Sequence, residues 1–286
     1  MELESLQFFK SVADLGSITL AARQLNRVQS NVTTRIKNLE HRLGVQLFHR
    51  HGNRLTLSQE GELLRGYAER LLRLSDEAEA AMQVRAPTGT LRLGTLESTA
   101  AARLPPVLSQ FHRRYPEVLI ELVTGSSAAL LEKVERYEVD AALISEPFQA
   151  MSLATQAVFD EELVLITPLT ADAPLNLDYL QRATMIAFST GCSYRQLFEA
   201  WLTSQGIVPA RVLELASYHA IVACVAAGTG IGIMPRSVLQ AVHAEHQLNV
   251  HPLPPQYARI RTHLVWQPDH HLAVVDAFRH YLAERP

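Results

Sequence analysis

The sequence predicts an α/β protein in three parts: a small helical head with a hairpin, one long linker helix, and a two-lobed body of strand–helix units. Three observations predict it. Apolar residues in the first 58 positions recur in three short helical runs. From Gln59 one helical pattern continues to Ala81 with no proline in it. Beyond Gly89, strand-like apolar runs alternate with amphipathic stretches, as in sheets covered on both faces by helices.

The bulk properties agree. The chain has 286 residues, 48% hydrophobic and 19% charged, enough to bury more than one core. Its net charge of −3 is unevenly placed. Residues 1–58 carry 8 Lys+Arg against 4 Asp+Glu, while residues 59–286 carry 18 against 25. A basic head on an acidic body points to a polyanionic partner at the head. Two cysteines, Cys192 and Cys224, make no disulfide framework and fit a reducing cytoplasm. The opening MELESLQFFKSV lacks the basic-then-apolar order of an export signal, and no apolar run is long enough for a bilayer, so no membrane partner is expected.

In the head, Leu3, Leu6, Phe9 and Val12 predict a first helix ending near Gly16. Ser17 is placed to cap a second, whose buried face reads as Leu20, Ala21 and Leu25, and Asn26 breaks it. A third starts at Gln29, with Val32, Ile36, Leu39 and Leu43 inward and Gly44 as its stop. Its other side gathers amides, hydroxyls and cations, and its one acid, Glu40, comes late. Leu47 and Phe48 point inward, and His51-Gly52-Asn53 turns a hairpin with Arg50 and Arg54 near its tip.

In the long helix, Leu64, Tyr67, Leu71, Leu74, Ala78 and Ala81 recur at alternating steps of three and four, the seam of a coiled coil. Ala86-Pro87-Thr88-Gly89 ends it. In the body, strands are predicted over 91–95, 119–124, 140–145, 163–168, 185–189, 231–235 and 262–267. Helices are predicted over 99–114, 127–137, 193–205, 217–228, 235–245 and 270–284. This order implies parallel, doubly wound sheets in two lobes with a crevice between them. The domains are drawn as 1–58, 59–89 and 90–286, with the first lobe at about 90–161 and 266–286 and the second at about 162–265.

The chain resembles the LysR-type transcriptional regulators. The likeness is densest from LQFFKSVADLGSITLAARQLNRVQSNVTTRIKNLEHRLG through the hairpin to residue 62, and continues in LRLG, HRRYPEV and AAGTGIGIMP. It implies a winged helix-turn-helix, a dimerising linker helix and a periplasmic-binding-protein-like effector domain, in dimers or tetramers that answer a small co-inducer. Two positions depart from the family pattern: Ser30, where proline is frequent, and Thr34, where a basic residue is common.

In a helix-turn-helix the second helix of the pair enters the major groove. Gln29 and Asn31 suit an adenine edge and Arg35 a guanine. Ser30, Thr33 and Thr34 suit bases or phosphates. Arg23, Lys37, Arg50 and Arg54 suit phosphates, and the resemblance puts Arg50 and Arg54 near the minor groove. The expected partners are double-stranded DNA carrying an imperfect palindrome, a second copy or four copies of the chain, RNA polymerase and a small effector.

Ligands of open α/β sheets bind outside the carboxyl ends of strands. Helix starts at Glu97-Ser98-Thr99, Gly191-Cys192-Ser193 and Ser217-Tyr218-His219 follow such ends. Each hydroxyl there has an ordinary reading as a helix cap. The resemblance favours an effector site, held by Ser98, Thr99, Cys192, Ser193 and His219 and lined by Thr124, Ser126 and Ser145. The expected ligand is a carboxylate or an amino-acid-like metabolite. Glu97 instead invites an amine. Cys192 at a helix start raises a redox-sensing alternative within the same fold. A solute-binding protein or an enzyme would use the same crevice, but the head argues against the first and no nucleophile–base set supports the second. GTGIG at 228–232 follows a helix and precedes a strand, which reads as turn glycines. No His/Cys spacing calls for a metal, and no cofactor is expected.

Overall fold

The structure, a computed structural model, describes residues 2–51, 54–81, 87–170, 177–270 and 272–284, without the side chains at 50, 51, 54, 76, 77, 80 and 81. The chain forms two compact units, residues 1–84 and 85–286.

The first unit holds α1 (Leu3–Leu15), α2 (Ile18–Gln24), α3 (Gln29–Leu43), the hairpin β1 (Phe48–His51) and β2 (Arg54–Leu57), and α4 (Gln59–Ala81). Ser17 caps α2 by accepting the Leu20 N–H at 3.4 Å, and Gly16 and Gly44 close α1 and α3 in the left-handed conformation. Phe9, Val12, Ala21, Val32, Ile36, Leu39 and Leu47 form the core, and the Phe9 and Phe48 rings meet at 5.4 Å. Leu20 is not part of it. It is 47% exposed, and Ala22 takes the inward place. A helix of seven residues has too few turns for its spacing alone to fix which side faces in.

α4 belongs to this unit rather than standing apart, because Leu64 and Ala68 are buried in the head's core and Leu72 packs on it. Leu64 is therefore used within the protomer. Tyr67, Leu71, Leu74 and Ala78 remain exposed along the helix; the side chain of Ala81, and residue Ala86 of the linker, lie outside the described residues.

The second unit runs β3 (Gly89–Thr95), α5 (Glu97–Ala102), α6 (Leu104–Arg114), β4 (Val118–Thr124), α7 (Ser127–Glu135), β5 (Ala141–Ser145), β6 (Ala154–Pro168), α8 (Leu177–Arg182), β7 (Met185–Ala187), α9 (Ser193–Ser204), β8 (Val212–Glu214), α10 (Tyr218–Ala226), β9 (Ile231–Pro235), α11 (Arg236–Ala241), a 3₁₀ turn (Glu245–Gln247), β10 (Leu248–Pro252), α12 (Pro255–Ala258), β11 (Arg259–Trp266) and α13 (Ala273–Ala283). The helix expected over 99–114 breaks at Arg103. Pro105 and Pro106 belong to the first turn of α6, where proline is tolerated, and exclude a continuous helix through them.

The sheets are mixed, not parallel. β3 pairs parallel with β4 and β5, and β7 pairs parallel with β8 and β9. β11 is antiparallel to both β5 and β6, and β9 and β10 are antiparallel to β6. The cause is β6, whose fifteen residues serve both lobes. It pairs with β11 as far as Glu162, then with β9 from Leu163. The chain crosses between lobes along β6 and returns along β11, so these strands run against their neighbours. Arg259–Trp266 thus lies in the first lobe, and the expected lobe boundary at 265/266 moves back to about residue 259.

One core lies between the first sheet and α6 and α13, with Leu93, Phe111 and Phe278 fully buried. The other includes Leu130 and Ile144 of the first lobe with Phe198, Ile221 and Met234 of the second, so the lobes share apolar packing. In the 228–232 segment, a Cβ on Gly230 would collide with the Thr184 carbonyl, which fits a close-packed turn.

At the foot of α4, a Cβ on Gly61 would collide with the Leu47 carbonyl oxygen, whereas one on Gly66 meets nothing within 4 Å. Gly61→Ala is expected to lower stability by roughly 1–3 kcal/mol through overpacking. Gly66→Ala is expected to raise it by roughly 0.5–1 kcal/mol through helix propensity. Urea unfolding followed by circular dichroism checks the opposite signs.

Candidate functional site

Two surfaces bear on function, one in each unit. In the first, the buried stripe of α3 (Val32, Ile36, Leu39) leaves Ser30, Thr34, Lys37 and His41 exposed on the opposite side, with Gln29 and Asn31 exposed at its start. α3 opens at Val28 with no side-chain cap. A 15-residue helix opened in this way offers first-turn N–H groups and the positive end of its dipole to a phosphate. Glu40 is turned away from the outer face, its Oε1 accepting the Leu47 N–H at 2.9 Å. Thr33 is half-buried and its hydroxyl donates to the Gln29 carbonyl at 2.9 Å. Arg23 on α2 is exposed. The side chains of Arg50 and Arg54 lie outside the described residues.

Arg35 is paired within the head. Its guanidinium donates to Glu2 and pairs with Glu4, both at 2.9 Å, and sits 6.0 Å from the centre of the Phe8 ring. In this arrangement it links α1 to α3 through exposed carboxylates, pairs that a guanine contact would have to displace. His41 and Asn38 do share the free face; the helical spacing from Thr34 and Lys37 is the signal that finds them.

In the second unit a cavity of about 240 Å³ opens between the lobes, at the carboxyl ends of β3, β4, β7 and β8. Leu96, Glu97, Ser98, Thr124 and Ser126 line it from the first lobe. Phe188, Cys192, Ser193, Tyr194 and Tyr218 line it from the second. Five of the expected residues therefore meet there: Ser98, Thr124, Ser126, Cys192 and Ser193. Three do not. Thr99 is buried on the inner side of α5 and outside the lining. Ser145 is buried at the end of β5, where its carbonyl accepts from Ser193. His219 is exposed and outside the lining. The aromatic residues Phe188, Tyr194 and Tyr218 were not expected, because in the sequence they look like ordinary core.

Hydroxyls join the lobes across this cavity. Ser193 Oγ donates to the Ser145 carbonyl at 2.8 Å and lies 2.8 Å from Ser127 Oγ, so its one proton is already engaged. Ser98 Oγ and Tyr194 Oη meet at 3.1 Å. Glu97 Oε1 accepts the Tyr218 N–H at 3.5 Å, while Oε2 is shut off from solvent with no hydrogen-bond partner among the described residues. Burial pushes the Glu97 carboxyl above its ordinary range, against the opposing pull of the Tyr218 N–H and His219. Burial also pushes the Cys192 thiol up, which disfavours the thiolate that redox sensing requires.

Residues 3–62 match the family of bacterial regulatory helix-turn-helix proteins, lysR family, and residues 85–286 match the LysR substrate binding domain. The chain belongs to the LysR family of transcriptional regulators. It is 37% identical over 270 residues to the HTH-type transcriptional regulator GltR of Bacillus subtilis (strain 168), covering 94% of this chain and 91% of that one. It is 40% identical over 270 residues to YusT of the same organism, an uncharacterized HTH-type regulator, covering 94% and 90%. A full-length OxyR variant from Pseudomonas aeruginosa shares the fold at TM-score 0.74 and 21% identity, over 99% of this chain and 95% of that one. Full-length CbnR in complex with its target DNA shares it at 0.70 and 20%, over 99% of each. This LysR-type regulator is thus a DNA-binding transcriptional regulator with an effector-binding domain. Its family consists of regulators, which are generally not enzymes. Among the described residues no helix is long and apolar enough to cross a membrane.

Lys37→Ala is expected to weaken binding to operator and unrelated DNA alike and to reduce the log–log salt slope by roughly 1. Arg35→Ala is expected to leave that slope unchanged. Fluorescence anisotropy at several salt concentrations separates them.

A second expectation follows from Glu97. A carboxyl raised in the folded state binds its proton more tightly there, so stability falls as pH rises from its ordinary value of 4.5 through the raised one. Glu97→Gln is expected to melt higher than the parent at pH 7 without ligand. The gap should close below about pH 4, where both states of the parent are protonated; scanning calorimetry across pH checks it.

Proposed function

We propose that this regulator binds an imperfect palindromic operator as a dimer or tetramer and adjusts transcription when a small metabolite enters the interlobe cavity. The observation that carries the first half is the free polar face of α3, with Ser30, Thr34 and Lys37 turned to solvent opposite the buried stripe. Gln29 and Asn31 at the helix start read base edges; Arg23, Lys37 and the wing arginines Arg50 and Arg54 hold phosphates. Two-fold pairing is supported by α4, whose exposed Tyr67, Leu71, Leu74 and Ala78 form an apolar line that water penalises until a second copy covers it. The protein works in the cytoplasm, where it reaches DNA and RNA polymerase.

The second half is supported by the cavity's place at the carboxyl ends of four strands and by its aromatic and hydroxyl lining. It carries no enzymatic activity. Among its described lining residues no imidazole stands beside a hydroxyl or thiol, and Ser98 meets a tyrosine instead. Redox sensing through Cys192 is the second reading, and the raised thiol pKa counts against it.

Genome-wide footprinting with the purified protein tests the proposal. The expected result is protection of paired half-sites about one helical turn or a multiple apart, with a protein that sediments as a dimer or tetramer. Scattered, unpaired protection or a monomer at micromolar concentration overturns it.

A further inference from the structure

One side chain lining the interlobe cavity lacks what its chemistry demands. Glu97 Oε2 is closed to solvent and has no donor among the described residues, while Oε1 is steadied by the Tyr218 N–H at 3.5 Å. Glu97 is also the one charged side chain among the described residues lining the cavity. The nearby guanidiniums are taken: Arg195 binds Glu199 and Glu214, and Arg103 binds Glu161. A ligand that brought only a carboxylate would set a second negative charge in the same partly desolvated space, where His219, exposed and outside the lining, is the one side chain among the described residues pulling toward the charged form of Glu97. Across the cavity, the Phe188 and Tyr218 rings meet at a tilt of 58° with centres 4.7 Å apart, an aromatic wall that favours a cation.

We propose that the effector carries a protonated amine, which donates to Glu97 Oε2 once the carboxylate turns that oxygen toward the cavity, beside the Phe188–Tyr218 pair. The ligand class is a small ammonium compound, either an amino acid or a simple amine, and a plain carboxylic acid is excluded. This deepens the effector reading of the cavity and rests on it. Such a ligand satisfies the orphaned oxygen, and its charge replaces the water that Glu97 has lost.

The test uses the full-length protein and matched triplets of ligands: amino acids, the amines left by decarboxylation, and the acids left by deamination. Thermal shift screens the panel and calorimetry measures the binders. At least one ammonium member is expected to bind, with its deaminated partner weaker by about tenfold or more, the scale of a hydrogen bond to a charged group. Glu97→Gln keeps an acceptor for the Tyr218 N–H but removes the charge, and is expected to lose the same factor for the ammonium members. Whether the carboxylate matters is read from amino acid against amine. The inference is overturned if the deaminated acid binds as tightly, if Glu97→Gln binds as the parent does, or if no ammonium compound in the panel binds. Thr124→Trp, which fills the cavity from the end of β4, separates this inference from the reading beneath it. A ligand whose binding ignores Thr124→Trp removes the cavity as effector site. A ligand blocked by Thr124→Trp but indifferent to Glu97→Gln removes only the amine.

Discussion

β6 belongs to two sheets at once, and the effector domain follows from that constraint. The strand leaves β11 at Glu162 and takes up β9 at Leu163, with no loop between. The lobes are therefore tied by continuous strand where β6 and the start of β11 cross. Glu161 stands at that place, 7% exposed, accepting from Arg103 of the first lobe at 2.7 and 3.1 Å and from Ser237 of the second at 2.7 Å. A buried carboxylate held from both sides resists any rotation that would strip one partner, because the charge would be left uncompensated.

The crossing also decides where the cavity lies. The parallel strands β3, β4, β7 and β8 end on one side, and the helices that follow β3 and β7 face each other there. Beside the apolar packing the lobes share, the hydrogen bonds across that gap are few: Ser193 to Ser145 and Ser127, Ser98 to Tyr194, and the long contact from Tyr218 to Glu97. The hydroxyl bonds among them contribute about 1 kcal/mol each in net terms. A seam worth a few kcal/mol lies within reach of a metabolite's differential affinity, which is the requirement for switching.

Much of this was legible in the sequence, and the losses have physical causes. Val32, Ile36 and Leu39 announce α3 because a long amphipathic helix repeats its buried face several times. Leu20 misleads because α2 has too few turns to do so. Thr99 and His219 were expected at the cavity and lie outside it. Each sits one position from a residue that lines it, and about 100° of helical rotation per residue carries the neighbour away. The commitments of Ser193 and Arg35 depend on partners 66 and 33 residues away, which no local pattern reveals. Antiparallel β11 escaped for the same reason: its run reads as a strand, but its direction is set by β6, whose first half alternates polar and apolar residues too irregularly to stand out.

Glu97 ties these observations together. A carboxylate at the start of a six-residue helix is, by itself, an ordinary stabilising choice. Here the facing lobe closes over it. The closure gives Oε1 one long bond and gives Oε2 none, so the closed domain without ligand carries the cost of a desolvated, half-satisfied charge. That cost opposes the hydroxyl seam and the shared apolar core. An ammonium group at Oε2 removes it only when both lobes are in place, because Tyr218 and Phe188 come from one lobe and Glu97 from the other. A cationic ligand therefore favours the closed arrangement specifically. The same carboxylate that makes the empty domain less stable makes its closure depend on what it has bound.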